Sequence, residues 1–276
     1  MSDIKDLIAL LPDDIHRIVG IARSGLSVAT HVAMALHLPL YIARQSKGDI
    51  VEGGNGWRLY ERSQPANGRT LLIDDTVMSG NSMNEVRPIV ERRFGETVTA
   101  AIYVNPLGRF RPDFCGVDLA WPHLLEWNLF NSVHLPQCAF DFDGILCHDC
   151  PVEDDDDGPR YQQFLHNVKP LYLVRKRPIP LIVTARLEKY RDFTEDWLKR
   201  WGMQAERLVM GPWHNLAERR AIDVAAYKAK HFEDHIQKRG GGIPQFFIES
   251  NEYQARRIAQ LTKGIVVCPQ AGRCFA

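Results

Sequence analysis

Short apolar runs of β character, each followed by a polar turn and then a stretch with helical periodicity, recur along this chain in two successive series. In the first series, residues 17–22 (RIVGIA), 40–43, 70–73 and 97–104 read as strands, and 4–11, 26–36 and 84–93 as helices. Residues 47–68 are polar, with Gly-Gly-Asn-Gly at 53–56, and read as a mobile loop or loose hairpin. After a break at 131–136, a second series opens. It has strands over 138–142, 180–183, 207–210, 245–248 and 264–267, with helices over 191–201, 224–238 and 251–260. Strands alternating with helices imply crossover connections, and crossovers build parallel sheets with helices on their faces.

The predicted fold class is therefore α/β: two tandem Rossmann-like domains with mainly parallel sheets, over residues 1–133 and 134–276. Lys plus Arg equals Asp plus Glu at 34 each, so there is no global field to draw in nucleic acid or an acidic membrane. No uncharged apolar run approaches the roughly 18 residues needed to span a bilayer. The first residues, MSDIKDLI, lack the apolar core of a signal peptide, so the cytoplasm is the expected location. Six scattered cysteines do not make a disulfide scaffold.

The densest chemistry of the first half lies at residues 71–83, Leu-Leu-Ile-Asp-Asp-Thr-Val-Met-Ser-Gly-Asn-Ser-Met. A buried strand runs into Asp74 and Asp75, then into a short loop and a helix. Main-chain N–H groups and a helix N-terminus at such a loop favour an anion, and Thr76, Ser79 and Ser82 add hydroxyls. Gly80 allows close backbone approach. The competing reading makes Asp-Asp-Thr a helix N-cap and the loop a mere turn. The segment resembles the phosphoribosyl pyrophosphate motif of type I phosphoribosyltransferases. That resemblance implies a phosphate site from Asp74, Asp75, Thr76, Val77, Met78, Ser79, Gly80, Asn81 and Ser82. It also implies a pyrophosphate loop at Arg23, Ser24 and Gly25, and a catalytic lid over 47–68. A base-binding hood would fall to residues 123–128, which match no base specificity.

Residues 139–149 read Ala-Phe-Asp-Phe-Asp-Gly-Ile-Leu-Cys-His-Asp. Two carboxylates at i and i+2 beyond a strand share a face, so one can attack phosphorus while the other protonates the leaving oxygen and then activates water. This resembles the first motif of the haloacid dehalogenase superfamily, and the other motifs follow in order. Thr184 ends the strand of the second. Lys228 is the charge-neutralising lysine of the third, with Lys230 as fallback. Glu249 stands at the fourth, where aspartate is usual. The resemblance implies Asp141 as nucleophile, with Asp143, Thr184 and Lys228 as its catalytic partners. It further implies Mg²⁺ held by Asp141, by Asp143 through its carbonyl, and by Glu249, with Asn251 or Glu252 completing the site.

The 40 residues between Asp143 and Thr184 leave no room for a large lid, which implies an open site or one roofed by a neighbouring domain or subunit. The acidic run at 153–157 reads as a solvated loop, with a secondary cation site as the alternative. Cys147, Cys150, Cys268 and Cys274 read as buried or incidental thiols rather than zinc ligands.

The whole chain resembles phosphoribosyltransferase–haloacid dehalogenase fusions. Three functions follow: a bifunctional transferase and phosphomonoesterase; a phosphatase with a non-catalytic nucleotide-binding half; or a regulator sensing phosphoribosyl pyrophosphate. The expected partner is phosphoribosyl pyrophosphate or a nucleotide, with a homodimer considered and no membrane or nucleic acid.

Overall fold

The computed structural model describes residues 2–55, 68–125, 129–240 and 242–276. It separates into two compact units, Met1–His123 and Leu124–Ala276. The first contains α1 (Ser2–Leu10), β1 (Ile15–Ile21), α2 (Gly25–Leu36), β2 (Leu40–Arg44), β3 (Asp49–Gly54), β4 (Arg69–Val77), α3 (Asn81–Phe94), β5 (Thr97–Val104) and β6 (Phe114–Asp118). Its sheet runs β3-β2-β1-β4-β5-β6 among the described residues, with β3 antiparallel and the remaining pairs parallel.

The central position of β4 follows from its composition. Leu71, Leu72 and Ile73 are all fully buried, as a strand with helices on both faces requires. Strand alternation sends Leu71 and Ile73 to one core with Ile18, Val28 and Val32, and Leu72 to the other with Met83, Val86 and Val90.

The second unit contains β7 (Cys138–Phe140), α4 (Pro159–Asn167), β8 (Leu181–Leu187), α5 (Arg191–Arg200), β9 (Leu208–Gly211), α6 (Leu216–Arg220), α7 (Val224–Arg239), β10 (Phe246–Ile248), α8 (Glu252–Leu261), β11 (Ile265–Cys268) and β12 (Arg273–Phe275). Its sheet runs β12-β11-β10-β7-β8-β9, with β12 antiparallel to β11 and the other pairs parallel. Among the described residues, no helix is long and apolar enough to cross a membrane.

The structure refines the expectations at three points. The compact units divide at 123/124, ahead of the expected 133/134, with Leu129, Phe130 and Leu135 packed into the core of the second unit. Strand β4 continues to Val77, since Thr76 and Val77 still pair with Tyr103 and Val104 of β5. Of the segment expected as a mobile loop or loose hairpin, Asp49–Gly54 is β3, antiparallel to β2 as in a hairpin; residues 56–67 lie outside the described residues.

The packing of Leu129 and Phe130 has a measurable consequence. Residues 124–276 expressed alone should melt at a clearly higher temperature than residues 134–276, which lack both side chains. Each large apolar side chain removed from a core costs about 2–5 kcal/mol. Equal melting temperatures for the two fragments would show that the segment contributes nothing to that core.

Candidate functional site

In the first unit, β4 delivers Asp74 and Asp75 and α3 begins directly after the loop. Gly80 occupies the position before α3 with φ 83°, and no side chain caps that helix end. The two aspartates are therefore not the helix cap. The Asp75 amide bonds Asp74 Oδ1 at 3.0 Å, and the Thr76 amide bonds Asp75 Oδ1 at 2.9 Å. Asp74 and residues 76–83 line a cleft of about 150 Å³. Among the described residues, no main-chain carbonyl accepts from the amides of Met78, Ser79 or Gly80. Such unfilled donors suit an anion.

The loop after β1 is brought against this acid pair. A Cβ on Gly25 would lie 2.6 Å from Asp74 Oδ1, so only glycine lets α2 begin there. Arg23 lies in a neighbouring cleft of about 560 Å³ with Ala22, Arg44, Gln45, Ser46 and Glu85, whereas Ser24 spends its carbonyl on Ser27. Thr76 departs from its expected role. His123 Nε2 lies 2.6 Å from the Leu119 carbonyl, which can only accept. In the neutral ring, Nδ1 then accepts from the Thr76 hydroxyl at 2.6 Å. That hydroxyl proton is already committed, which leaves Ser79 and Ser82 as the hydroxyl donors. Residues 126–128 of the expected hood lie outside the described residues.

In the second unit the register of the sheet assembles the site. Phe140 of β7 pairs with Ile248 of β10 and with Ile182 of β8. Asp141 and Glu249 thus lie one residue beyond neighbouring strand ends. Their amides continue the ladders to the Ile248 and Val267 carbonyls, at 2.9 and 3.0 Å. The carboxyl ends of parallel strands are where such sheets bind ligands.

Lys228 of α7 reaches between them: its Nζ lies 2.7 Å from Asp141 Oδ2 and 2.7 Å from Glu249 Oε2, with all three side chains buried. Thr184, in β8, lines the same cleft of about 550 Å³. Lys230 faces solvent. Burial and the Glu249 carboxylate push Asp141 well above the usual range despite Lys228.

The sequence reading did not single out Arg186, two residues beyond Thr184 on the same strand, although that spacing puts both on one face. Its side chain is fully buried and bonds Asp143 at 2.6 and 3.0 Å, with the guanidinium 4.0 Å from the Phe142 ring centroid. Burial favours the neutral acid, but Arg186 more than offsets it and holds Asp143 below the usual carboxylate range. In this arrangement Asp143 is an ionised carboxylate with no proton to give.

Gly144 follows with φ 75°, and a Cβ there would meet Ser250 Oγ at 2.4 Å and Asp149 at 2.9 Å. Asp149, also unread, sits on the cleft rim. Asn251 lines the cleft and caps α8 through the Gln254 amide, and its own amide bonds Glu249. Glu252 is turned to Arg256 instead.

The donor chemistry fits a hard divalent cation: buried carboxylate oxygens from Asp141 and Glu249, and the Asp143 carbonyl, with more acid than Lys228 neutralises. Among the described residues, no three His, Cys, Asp or Glu side chains form a ready cage. A cation here would rest on two side chains, one carbonyl and water.

The acidic run is not a free loop. Asp155 pairs with Arg219 and Arg220, and Asp157 with Lys189, the Tyr190 hydroxyl and the Leu216 amide. Asp156 accepts from the Tyr161 and Gly158 amides and from Arg160, which hold its carboxyl down at about 2. All six cysteines are free thiols. Cys147 is buried beside Asp143, Cys268 bonds the Ser250 carbonyl, and Cys274 is exposed on β12.

With this geometry in place, comparison with known proteins gives the first unit a class. Residues 3–132 match the phosphoribosyl transferase domain family, so this half carries a phosphoribosyltransferase domain. A transcriptional regulator GfcR of Archaeoglobus fulgidus is 32% identical over 104 residues, 37% of this chain and 53% of the relative. The transcriptional regulator GfcR of Halorubrum lacusprofundi is 30% identical over 114 residues, 39% of this chain and 53% of the relative. The chain therefore spans about half the length of the curated relatives it matches. Among solved structures, a purine phosphoribosyltransferase from Pyrococcus horikoshii is similar over 41% of this chain and 78% of its own, with 20% identity and a TM-score of 0.31. The xanthine-guanine-hypoxanthine phosphoribosyltransferase of Helicobacter pylori covers 46% of this chain and 82% of its own, at 15% identity and a TM-score of 0.33.

Burial, the Asp75 charge and an Asp75 hydrogen bond push Asp74 from 3.8 up to about 8. A raised acid binds its proton more tightly when folded, so the native state loses stability as pH climbs from the unfolded to the folded value. Asp74→Asn should raise Tm relative to wild type by an amount that grows between about pH 4 and pH 8 and is flat above. A difference independent of pH would refute the buried, raised carboxyl.

Proposed function

We propose that Leu124–Ala276 is a phosphomonoesterase with Asp141 as its nucleophile. In the same chain, the phosphoribosyltransferase domain takes phosphoribosyl pyrophosphate or a nucleotide at the Asp74–Ser82 cradle. The observation that carries this reading is the Lys228 ammonium held 2.7 Å from both Asp141 and Glu249 in a cleft shared with Thr184. A buried lysine between two carboxylates tethers the nucleophile and supplies positive charge where phosphoryl oxygens would lie.

Attack by an Asp141 oxygen forms the acyl phosphate as the bond from phosphorus to the leaving oxygen breaks. The leaving oxygen takes a proton from water, leaving hydroxide. A second water then cleaves the acyl phosphate and gives its proton to the ionised Asp143, which passes it to that hydroxide, so the site returns to its starting state. Thr184 is positioned to hold a phosphoryl oxygen. A divalent cation such as Mg²⁺, when bound, would neutralise charge on the phosphoryl group. Transfer followed by hydrolysis would turn a base-like acceptor and phosphoribosyl pyrophosphate into a nucleoside, the second step drawing the first forward.

A second reading is favoured by the names of the two relatives, both transcriptional regulators. In it, phosphoribosyl pyrophosphate is an effector and no transfer occurs.

Wild-type protein with Mg²⁺ should hydrolyse p-nitrophenyl phosphate, and Asp141→Asn should lower turnover by at least about a hundredfold while Tm shows a folded protein. Undiminished turnover in that variant rejects Asp141 as nucleophile. Calorimetry should show phosphoribosyl pyrophosphate binding with Mg²⁺, weakened at least about tenfold when Asp74 and Asp75 are both changed to Ala. Identical heats reduce the cradle to a turn. Binding without pyrophosphate release across a panel of bases would favour the effector reading.

A further inference from the structure

The cleft that holds Asp141 carries a second charged group that the proposed hydrolysis does not use. Helix α6 is short and firmly capped. Asn215 Oδ1 accepts from the Glu218 amide at 2.9 Å, and Glu218 accepts from the His214 amide at 2.9 Å. The end of the helix presents Arg219 and Arg220 to the cleft. Both turn one guanidinium nitrogen to the same atom, Asp155 Oδ2, at 2.9 and 3.4 Å.

Asp155 is fixed in turn, its amide held by the Pro151 and Val152 carbonyls. One carboxylate oxygen thus faces two guanidiniums. Each guanidinium has five N–H donors, and among the described residues no other acceptor bonds either. A positive charge in excess and a set of open, directed donors remain on the cleft wall. Elsewhere in the cleft the charges are matched differently: Arg186 is consumed by Asp143, and Lys228 is shared by two acids. Asp143, Arg186 and Tyr161 line the same cleft as Asp155, Arg219 and Arg220, so the two groups border one continuous space.

We propose that Arg219 and Arg220 form an anion subsite, so that the preferred substrate is a phosphomonoester bearing a second anionic group, phosphate or carboxylate. Asp155 orients the pair, and the incoming anion takes the open donors in the bidentate manner that guanidinium favours. A cleft of about 550 Å³ has room for a small bis-anionic ester. This inference rests on the reading of the cleft as a phosphomonoesterase site, and it adds what else the substrate carries.

The test uses the full chain with Mg²⁺ and two matched substrate pairs. One compares 3-phosphoglycerate with glycerol 3-phosphate, which differ by a carboxylate. The other compares propane-1,3-diol bisphosphate with propyl phosphate, which differ by a phosphate. Wild type should favour the bis-anionic member in kcat/KM, and the arm with the larger ratio identifies the anion. Arg219→Ala with Arg220→Ala should cut that ratio at least about tenfold, the usual scale for losing a charge-assisted contact. Arg220→Gln, at a largely exposed position that leaves the Arg219–Asp155 bond in place, should cut it in the same direction. It serves as the readout if the double variant does not fold.

Calorimetry of propane-1,3-diol bisphosphate against wild type and variants separates the two readings. If no ester is hydrolysed but the bisphosphate binds wild type at least about tenfold better than the variants, the subsite stands and the hydrolytic reading falls. Ratios near one in wild type, or unchanged ratios in both variants, reduce the two arginines to a clasp for the acidic loop and overturn the proposal.

Discussion

The second unit is organised around one ammonium group. Lys228 comes from a helix, Asp141 and Glu249 from the ends of adjacent parallel strands, and the ammonium meets each acid at 2.7 Å with little solvent to soften the charges. Taking three charges out of water is costly, and only close, well-directed contacts offset it. Everything that sets those contacts is fixed by burial. The β7–β10 register brings the two acids level, and α7 lies on the sheet through Ala225, Ala229 and Phe232. Loss of Lys228 would leave two buried acids with no opposite charge between them. That demand explains why so many apolar residues surround so few charged atoms.

The first unit solves a different problem with similar parts. Its acids are adjacent in sequence and not relieved by a lysine. Instead, among the described residues, Asp75 Oδ2 is buried without a partner, and the loop beyond offers amides with no main-chain acceptor, while Asp74 is pushed to about 8. Negative and positive potential are therefore left unsatisfied side by side. Such an arrangement costs stability.

Much of this was legible in the residues because it depends on local pattern. The strand–acid–loop–helix order at 71–83 and the Asp-x-Asp-Gly after a buried run each announce themselves within a dozen positions. Lys228 could be chosen over Lys230 only by helix phase, which a single sequence leaves open. Arg186 escaped notice because an arginine in a strand looks like surface, whereas here Asp143 draws it inside. The acidic run misled in the opposite sense. Five consecutive acids suggest water, but their partners Lys189, Arg219 and Arg220 lie tens of residues away and converge only after folding. The unit boundary was displaced for the same reason: Leu129 and Phe130 lie in a segment without periodicity and are claimed by a distant core.

Gly25 has a bearing on how this chain can change over time. Any side chain there would collide with Asp74 Oδ1 and with the Asp74 main chain. Every single-base change that turns a glycine codon into another amino acid adds at least a methyl group. Position 25 is thus closed to stepwise drift while Asp74 keeps its carboxylate. The two sites can only move together, with 74 shrinking first, and that step would discard the acid that makes the cradle a cradle. Lineages descended from this chain are accordingly expected to keep glycine at 25 for as long as they keep an acid at 74, and to lose the acid first.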